Sequence, residues 1–259
     1  MNLTAPLRNT WSDLLSAIQF LTRIPTPAQP YAADSLSRSV KFFPLVGLLI
    51  GGSAALLNYV LTPHLPRPVA AFFLVIYLLL ITGCLHEDGL SDAADGFGGG
   101  NNREQTLLIM RDSRIGTYGG AAITLSLVGR ILLLSYLPPM QIAQYLIAAH
   151  ILCRWTTLPL SYFLPPARNQ TSVEYSGQGI RIANLTTTAT LIVGTLFSFA
   201  IVILLLRTHS AAPILSAIAI SAITALYYRK RICGVTGDCF GATNQLAEIG
   251  VYLCGVWAA

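Results

Sequence analysis

Charge is what this sequence has least of. Only 10% of its 259 residues are Asp, Glu, Lys or Arg, where soluble domains carry about 25%. With 54% hydrophobic residues, too little polar surface remains to cover a water-soluble fold, and lipid is the solvent that fits. Lysine is nearly absent: Lys41 and Lys230 are the only two among 16 basic residues. The arginines are scattered between apolar runs and form no basic stripe, so the net charge of +5 reads as a topology signal and not as a nucleic-acid surface. Cys84, Cys153, Cys233, Cys239 and Cys254 contain no CxxC pair, which excludes a zinc or disulfide framework and leaves small core residues. No GK[ST] occurs, so there is no Walker loop. No Ser-His-Asp or Cys-His spacing stands out, and no short apolar region with a cleavage site marks a removed signal peptide. Without solenoid repeats or a low-complexity linker, residues 1–259 form a single polytopic domain.

What is present is a series of apolar runs. A membrane helix needs about 20 such residues, and the runs fall at 42–61, 68–85, 118–137, 141–164, 183–206, 212–228 and 240–259. The fold class is therefore an all-α integral membrane protein with seven transmembrane helices. Within the N-terminal segment 1–39, Trp11, Leu14, Leu15, Ile18, Leu21 and Ile24 share one helical face, which predicts an interfacial helix. With the N-terminus cytoplasmic, one side collects Arg8, Arg23, Arg38, Lys41, Arg103, Arg111, Arg114, Arg168, Arg181, Arg229, Lys230 and Arg231. The other side keeps Arg67 and Arg207. Twelve against two fits the positive-inside rule. The longer links, 86–117, 165–182 and 229–239, fall on the cytoplasmic side, where function is expected. Arg130, His150, Arg154 and Glu248 lie inside spans and must face the bundle interior; an Arg154–Glu248 pair across helices is one expectation.

Residues 83–120 hold Glu87, Asp88, Asp92, Asp95, Glu104 and Asp112, six of the chain's eleven acidic residues. Asp88, Asp92 and Asp95 are spaced i, i+4, i+7, which puts three carboxylates within about 60° of one helical face. Like charges so placed repel, and no Lys or Arg occurs between Arg67 and Arg103. A divalent cation would offset them, and all-oxygen ligands point to magnesium or manganese. Ala93, Ala94 and Gly96 are small enough to let another helix approach. His86 is either a ligand or an interfacial polar residue, and the glycines after Asp95 are either a phosphate loop or a helix stop. On the same side, Asp238 sits in a glycine-flanked turn with Asn244 two turns on, and Arg111 and Arg114 precede the third span. Arginine forks suit phosphate.

HEDGLSDAADGFGGG, MRDSRIGTYGG, TGDCFGATNQLAE and the N-terminal FLTRIPTP and FFPLVGLLIGG together resemble the cobalamin synthase (adenosylcobinamide-GDP ribazoletransferase) family over nearly the whole chain. The resemblance implies a magnesium-dependent enzyme of the bacterial inner membrane, active on its cytoplasmic side. It would join adenosylcobinamide-GDP to alpha-ribazole, or to its 5'-phosphate, giving adenosylcobalamin or its phosphate and GMP. On this reading Glu87, Asp88, Asp92, Asp95 and Asp238 hold the metal, while Arg111, Arg114 and Asn244 bind substrate. The ribazole 5'-hydroxyl attacks, and Asp95, with Asp92 beside it, is the expected catalytic carboxylate. The partners are these small molecules and the bilayer, with a homo-oligomer compatible. The CDP-alcohol phosphotransferases share the chemistry, but DGLSDAAD lacks their DGxxAR start. The competing classes are a phosphotransferase acting on lipid and a cation-coupled transporter, whose acids belong near the midplane in repeated halves.

Overall fold

The computed structural model describes residues 4–27, 35–168 and 186–258. Arg181 and most of the expected 165–182 link lie outside them. Among the described residues there is no strand, only an isolated bridge between Pro166 and Val235. The helices are α1 (Thr4–Leu21), α2 (Ser35–Ser39), α3 (Phe43–Leu61), α4 (Arg67–Thr82), α5 (Leu85–Gly99), α6 (Arg103–Ile109), α7 (Thr117–Tyr136), α8 (Ile142–Trp155), α9 (Thr157–Phe163), α10 (Thr188–Leu206), α11 (Ala211–Ile232) and α12 (Gly237–Trp257).

Among the described residues, four helical stretches are long and apolar enough to cross a membrane: Val40–Leu61, Thr117–Tyr136, Thr188–His209 and Ala211–Ile232. A fifth is gained if α4 and α5 count as one span, yet these two are bent by 89°. The bend is built from two left-handed residues, Gly83 at φ 63° and Cys84 at φ 59°. α5 then carries four carboxylates in fifteen residues, a composition unsuited to facing lipid.

The remaining expected spans are shorter or more polar for a visible reason. The run at 141–164 breaks at Thr156 into α8 and α9, and every side chain from Ala148 to Trp155 is buried. In α12 the run from Cys239 to Gln245 is buried as well, and so is Glu248. These two helices bury most of their polar residues against protein, so hydropathy alone no longer governs their composition. α8 packs along α3, where glycines set the spacing: a Cβ on Gly47 would collide with the His150 carbonyl, and one on Gly51 would lie 2.7 Å from the Ile147 Cα.

α1 is amphipathic, with Leu15, Ala17 and Leu21 buried and Trp11 exposed. Its Asp13 is buried and accepts from Arg38 Nε at 3.1 Å and Lys41 Nζ at 2.8 Å, which ties α1 to the entry of α3. Farther on, Arg23 N donates to the Ile81 carbonyl at 2.7 Å, holding the chain after α1 against the end of α4.

The α3–α8 contact predicts an asymmetric response to two neighbouring substitutions. Gly47→Ala must push α8 away and should cost about 1–3 kcal/mol, as overpacking does. Gly52→Ala, where a Cβ meets nothing within 4 Å, should leave the melting temperature in detergent unchanged or raise it slightly. Equal effects from the two would disprove the close packing.

Candidate active site at an acidic helix

α5 aims its aspartates at the start of α12, because the two helices approach to glycine distance. A Cβ on Gly89 would lie 3.1 Å from the Asp238 carbonyl oxygen, and Gly89 and Gly241 face each other the same way. Thr236 caps α12 by accepting from Cys239 N, and its hydroxyl donates to Asp238 Oδ2 at 3.1 Å. Asp238 is thereby set beside Asp88 and Asp92. The effect shows in the Asp92 carboxyl, whose pKa rises to about 7 through partial burial first, then the charges of Asp238, Asp88 and Asp95. Four mutually repelling carboxylates are brought together, as the sequence suggested for three of them plus Asp238.

Asp95 has a second engagement. Its Oδ2 accepts from Gly116 N at 2.7 Å and its Oδ1 from Gly119 N at 2.9 Å, so it satisfies the free N–H groups at the start of α7. A Cβ on either glycine would collide with that carboxylate. The other end of α5 is closed by Arg231, whose Nη2 donates to the Phe97 and Gly100 carbonyls at 3.1 and 2.9 Å.

The arginine at the cluster is Arg168, with Nη2 3.7 Å from Asp238 Oδ2. Burial lowers its pKa, Asp238 opposes that, and Arg111 adds to it, which brings Arg111 into its neighbourhood. Sequence reasoning counted Arg168 only as a topology charge, and nothing local distinguishes it. Its loop is pinned from elsewhere: Arg103 donates to the Ala167 and Ile232 carbonyls at 2.7 and 2.9 Å. Arg114 is not brought to the cluster. Its guanidinium bonds Asp112 at 2.9 Å on the surface and holds that carboxyl down to about 2.

Glu87, expected in the metal shell, faces elsewhere. It is buried, and its Oε1 accepts from Arg130 Nη2 at 2.8 Å and Gln245 Nε2 at 3.1 Å. Arg130, 1% exposed, also reaches Glu248 Oε1 at 3.5 Å. The expected Arg154–Glu248 pair is thus corrected: Glu248 pairs with Arg130 on α7, and Arg154 Nη1 instead meets His150 Nδ1 at 2.6 Å and Cys153 Sγ at 3.0 Å. His150, Cys153 and Glu248 are the one tight trio of ligand side chains among the described residues, but the Arg154 guanidinium stands against two of them. The aspartates form no such tight trio. A wider set of oxygens suits magnesium, which keeps several of its waters.

A cavity of about 320 Å³ opens beside the aspartates, walled by Asp88, Asp238, Arg154, Arg168, His86, Asn244 and the rings of Phe20, Phe43 and Phe240. A second, polar cavity of about 510 Å³ includes Arg23, Thr22 and Gln19 and shares Asp88 with the first. Asn244, expected at the site, lies in the wall of the first cavity, and its buried Oδ1 has no partner.

Known proteins give this arrangement a context. The family described as cobalamin-5-phosphate synthase matches residues 13–256. The adenosylcobinamide-GDP ribazoletransferase of Azorhizobium caulinodans is 41% identical over 258 residues, covering 95% of each chain. That of Mesorhizobium japonicum is 38% identical over 257 residues, covering 97% of this chain and 95% of its own. That of Vibrio cholerae is 34% identical over 260 residues, with 97% and 95% covered. No solved structure matches the chain.

Two outcomes test the site's electrostatics. A carboxyl with a raised folded pKa stabilises the fold when protonated, and that contribution is lost as pH rises through about 7 for Asp92. Magnesium should therefore raise the melting temperature more at about pH 8 than at about pH 6, and Asp92→Asn should stabilise the metal-free protein at the higher pH. A shift independent of pH would remove the cluster as the cation's site. Separately, Arg130→Met should cost about 3–5 kcal/mol by stranding Glu87 and Glu248, and adding Glu87→Gln and Glu248→Gln should recover much of it in a thermal melt.

Proposed function

The chain belongs to the cobalamin-5-phosphate synthase family, and from that premise we propose how its own residues serve the reaction. The reaction joins adenosylcobinamide-GDP to ribazole and releases GMP. A lipid phosphotransferase and a transporter are not favoured, because the relatives matching nearly the full chain are ribazoletransferases. The observation that carries the site is the meeting of Asp88, Asp238 and Arg168 in one cavity wall, with Asp92 beside them.

A diphosphate resists attack because its negative oxygens repel an incoming hydroxyl. The donor set is all carboxylate, and partial burial followed by the charges of Asp238, Asp88 and Asp95 pushes Asp92 up to about 7, which fits a divalent cation. Magnesium or manganese held by Asp88, Asp92, Asp95 and Asp238 would supply positive charge to the phosphoryl oxygens and the departing phosphate. Arg168, with Arg111 near it, orients phosphate oxygens through its fork of donors. The acceptor hydroxyl forms a bond to the phosphorus that remains on cobinamide, the bond to the bridging oxygen breaks, and GMP leaves.

The attacking hydroxyl follows from the acceptor. The family's printed name places a phosphate at the 5 position of its product; with an acceptor so phosphorylated, the 5'-oxygen has no proton to give up, and another ribose hydroxyl attacks. Its proton goes to a carboxylate, and Asp92 is the better acceptor. Each oxygen of Asp95 already receives a backbone N–H, so besides any metal it helps hold, it positions the start of α7. Glu87 acts at one remove as well, by fixing the rotation of α5 through Arg130.

The topology that suits this chemistry has seven crossings, with the N-terminus and the aspartates on the cytoplasmic side of the inner membrane. Its support is the twelve-to-two bias of basic residues. The shielding of α8 and α12 by their neighbours also lets polar helices cross. α5, turned 89° from α4, then runs along the interface.

An assay of the purified protein with adenosylcobinamide-GDP, ribazole phosphate and magnesium should give cobalamin phosphate and GMP. EDTA and Asp92→Ala should each abolish turnover. Arg168→Ala should cost about 10²-fold or more in kcat, as loss of a charged transition-state donor does, with a much smaller loss for Arg114→Ala. A well-folded protein forming no cobalamin would sink the reading.

A further inference from the structure

The cavity against Asp88 and Asp238 has walls that neither a metal nor a diphosphate explains. Three phenylalanines from three helices line it: Phe20 on α1, Phe43 on α3 and Phe240 on α12. Phe20 and Phe43 are stacked at 5.7 Å. Set among these rings are two buried polar side chains with idle atoms. His86, 5% exposed, has an unpartnered Nδ1, and Asn244, 2% exposed, has an unpartnered Oδ1. Buried polar atoms are normally satisfied, and an exception calls for an occupant.

We propose that this cavity is the acceptor's site, holding the aromatic base of ribazole against Phe20, Phe43 and Phe240 and its sugar hydroxyls at His86 and Asn244. The proposal rests on the ribazoletransferase reading above. Size excludes the corrinoid, whose macrocycle exceeds a cavity of about 320 Å³, a volume at the small-molecule end of ligand pockets. Chemistry separates the two remaining aromatic groups. Guanine carries a ring N–H, an amino group and a carbonyl, which would lose their hydrogen bonds on the phenylalanine side of this cavity. Dimethylbenzimidazole has two methyls, no N–H in its riboside and a single acceptor nitrogen, so it is desolvated at little cost and packs on rings. Hydroxyls both donate and accept, which matches an amide oxygen and a histidine nitrogen at once. Asp88 and Asp238 in the same wall bring a bound sugar next to the carboxylates. The polar cavity that shares Asp88 leaves separate room for the other substrate.

Equilibrium dialysis of labelled alpha-ribazole against the detergent-solubilised protein tests this in EDTA and without donor. Ribazole should bind under these conditions, and guanosine should not displace it. Asn244→Ala should weaken ribazole binding, and raise its KM, by about tenfold, the worth of one buried hydrogen bond. The KM for adenosylcobinamide-GDP should stay within about twofold. Displacement by guanosine, or a rise confined to the donor's KM, would hand the cavity to the nucleotide; unchanged ribazole binding would exclude it as a substrate site. Wild-type protein gives a test free of folding effects: affinity should fall from the dimethylbenzimidazole riboside to the benzimidazole riboside to adenosine. Equal affinity for adenosine overturns the proposal. A wild type that binds ribazole but never forms cobalamin would leave the cavity intact and refute the reaction instead.

Discussion

Arg130 is the residue on which the rest of this structure turns. Its guanidinium, shut away from both water and lipid, lies between Glu87 of α5 and Glu248 of α12. A second contact links the same helices, since Gln245 donates to Glu87 and accepts from Ser126 of α7 at 2.8 Å. A charge in such a place has no alternative partner, so each bond it makes is costly to break. Three helices are therefore locked in rotation by one side chain. The consequence for function is geometric. Turning Glu87 toward Arg130 leaves Asp88, about 100° around the helix, aimed at the start of α12.

The acidic cluster is then assembled by close approach and not by flexible reach. Gly89 and Gly241 remove the side chains that would separate α5 from α12. Gly116 and Gly119 remove those that would keep Asp95 from the start of α7. The carboxylates are crowded onto a helix that bends 89° from α4. Partial burial and then mutual repulsion are the cost of that arrangement, visible in the elevated Asp92.

α1 extends the same site toward the membrane surface. Asp13, held by Arg38 and Lys41, anchors it beside α3, and Phe20 enters the walls of both cavities. These two cavities share Asp88 and differ sharply in character, one ringed by phenylalanines and the other polar. A reaction that brings an apolar base to a charged diphosphate has use for such a pair.

The sequence alone carried the membrane class and the shared acidic face of Asp88, Asp92 and Asp95, and it singled out Asp238, because helical periodicity and charge scarcity are local properties. It also carried the family, since the motifs around those residues are contiguous. Partnership across helices was not legible. Arg154 and Arg130 are each single charges in apolar runs, and nothing along the chain states which one meets Glu248. Glu87 adjoins Asp88 in sequence but lies on a different helix face, about 100° away, and Arg168 is one arginine among fourteen until Arg103 pins its loop beside Asp238. The runs at 141–164 and 240–259 carry polar residues because hydropathy measures exposure to lipid, and these helices bury their polar side chains against protein. Periodicity fixes which side chains share a face; only packing decides what that face meets.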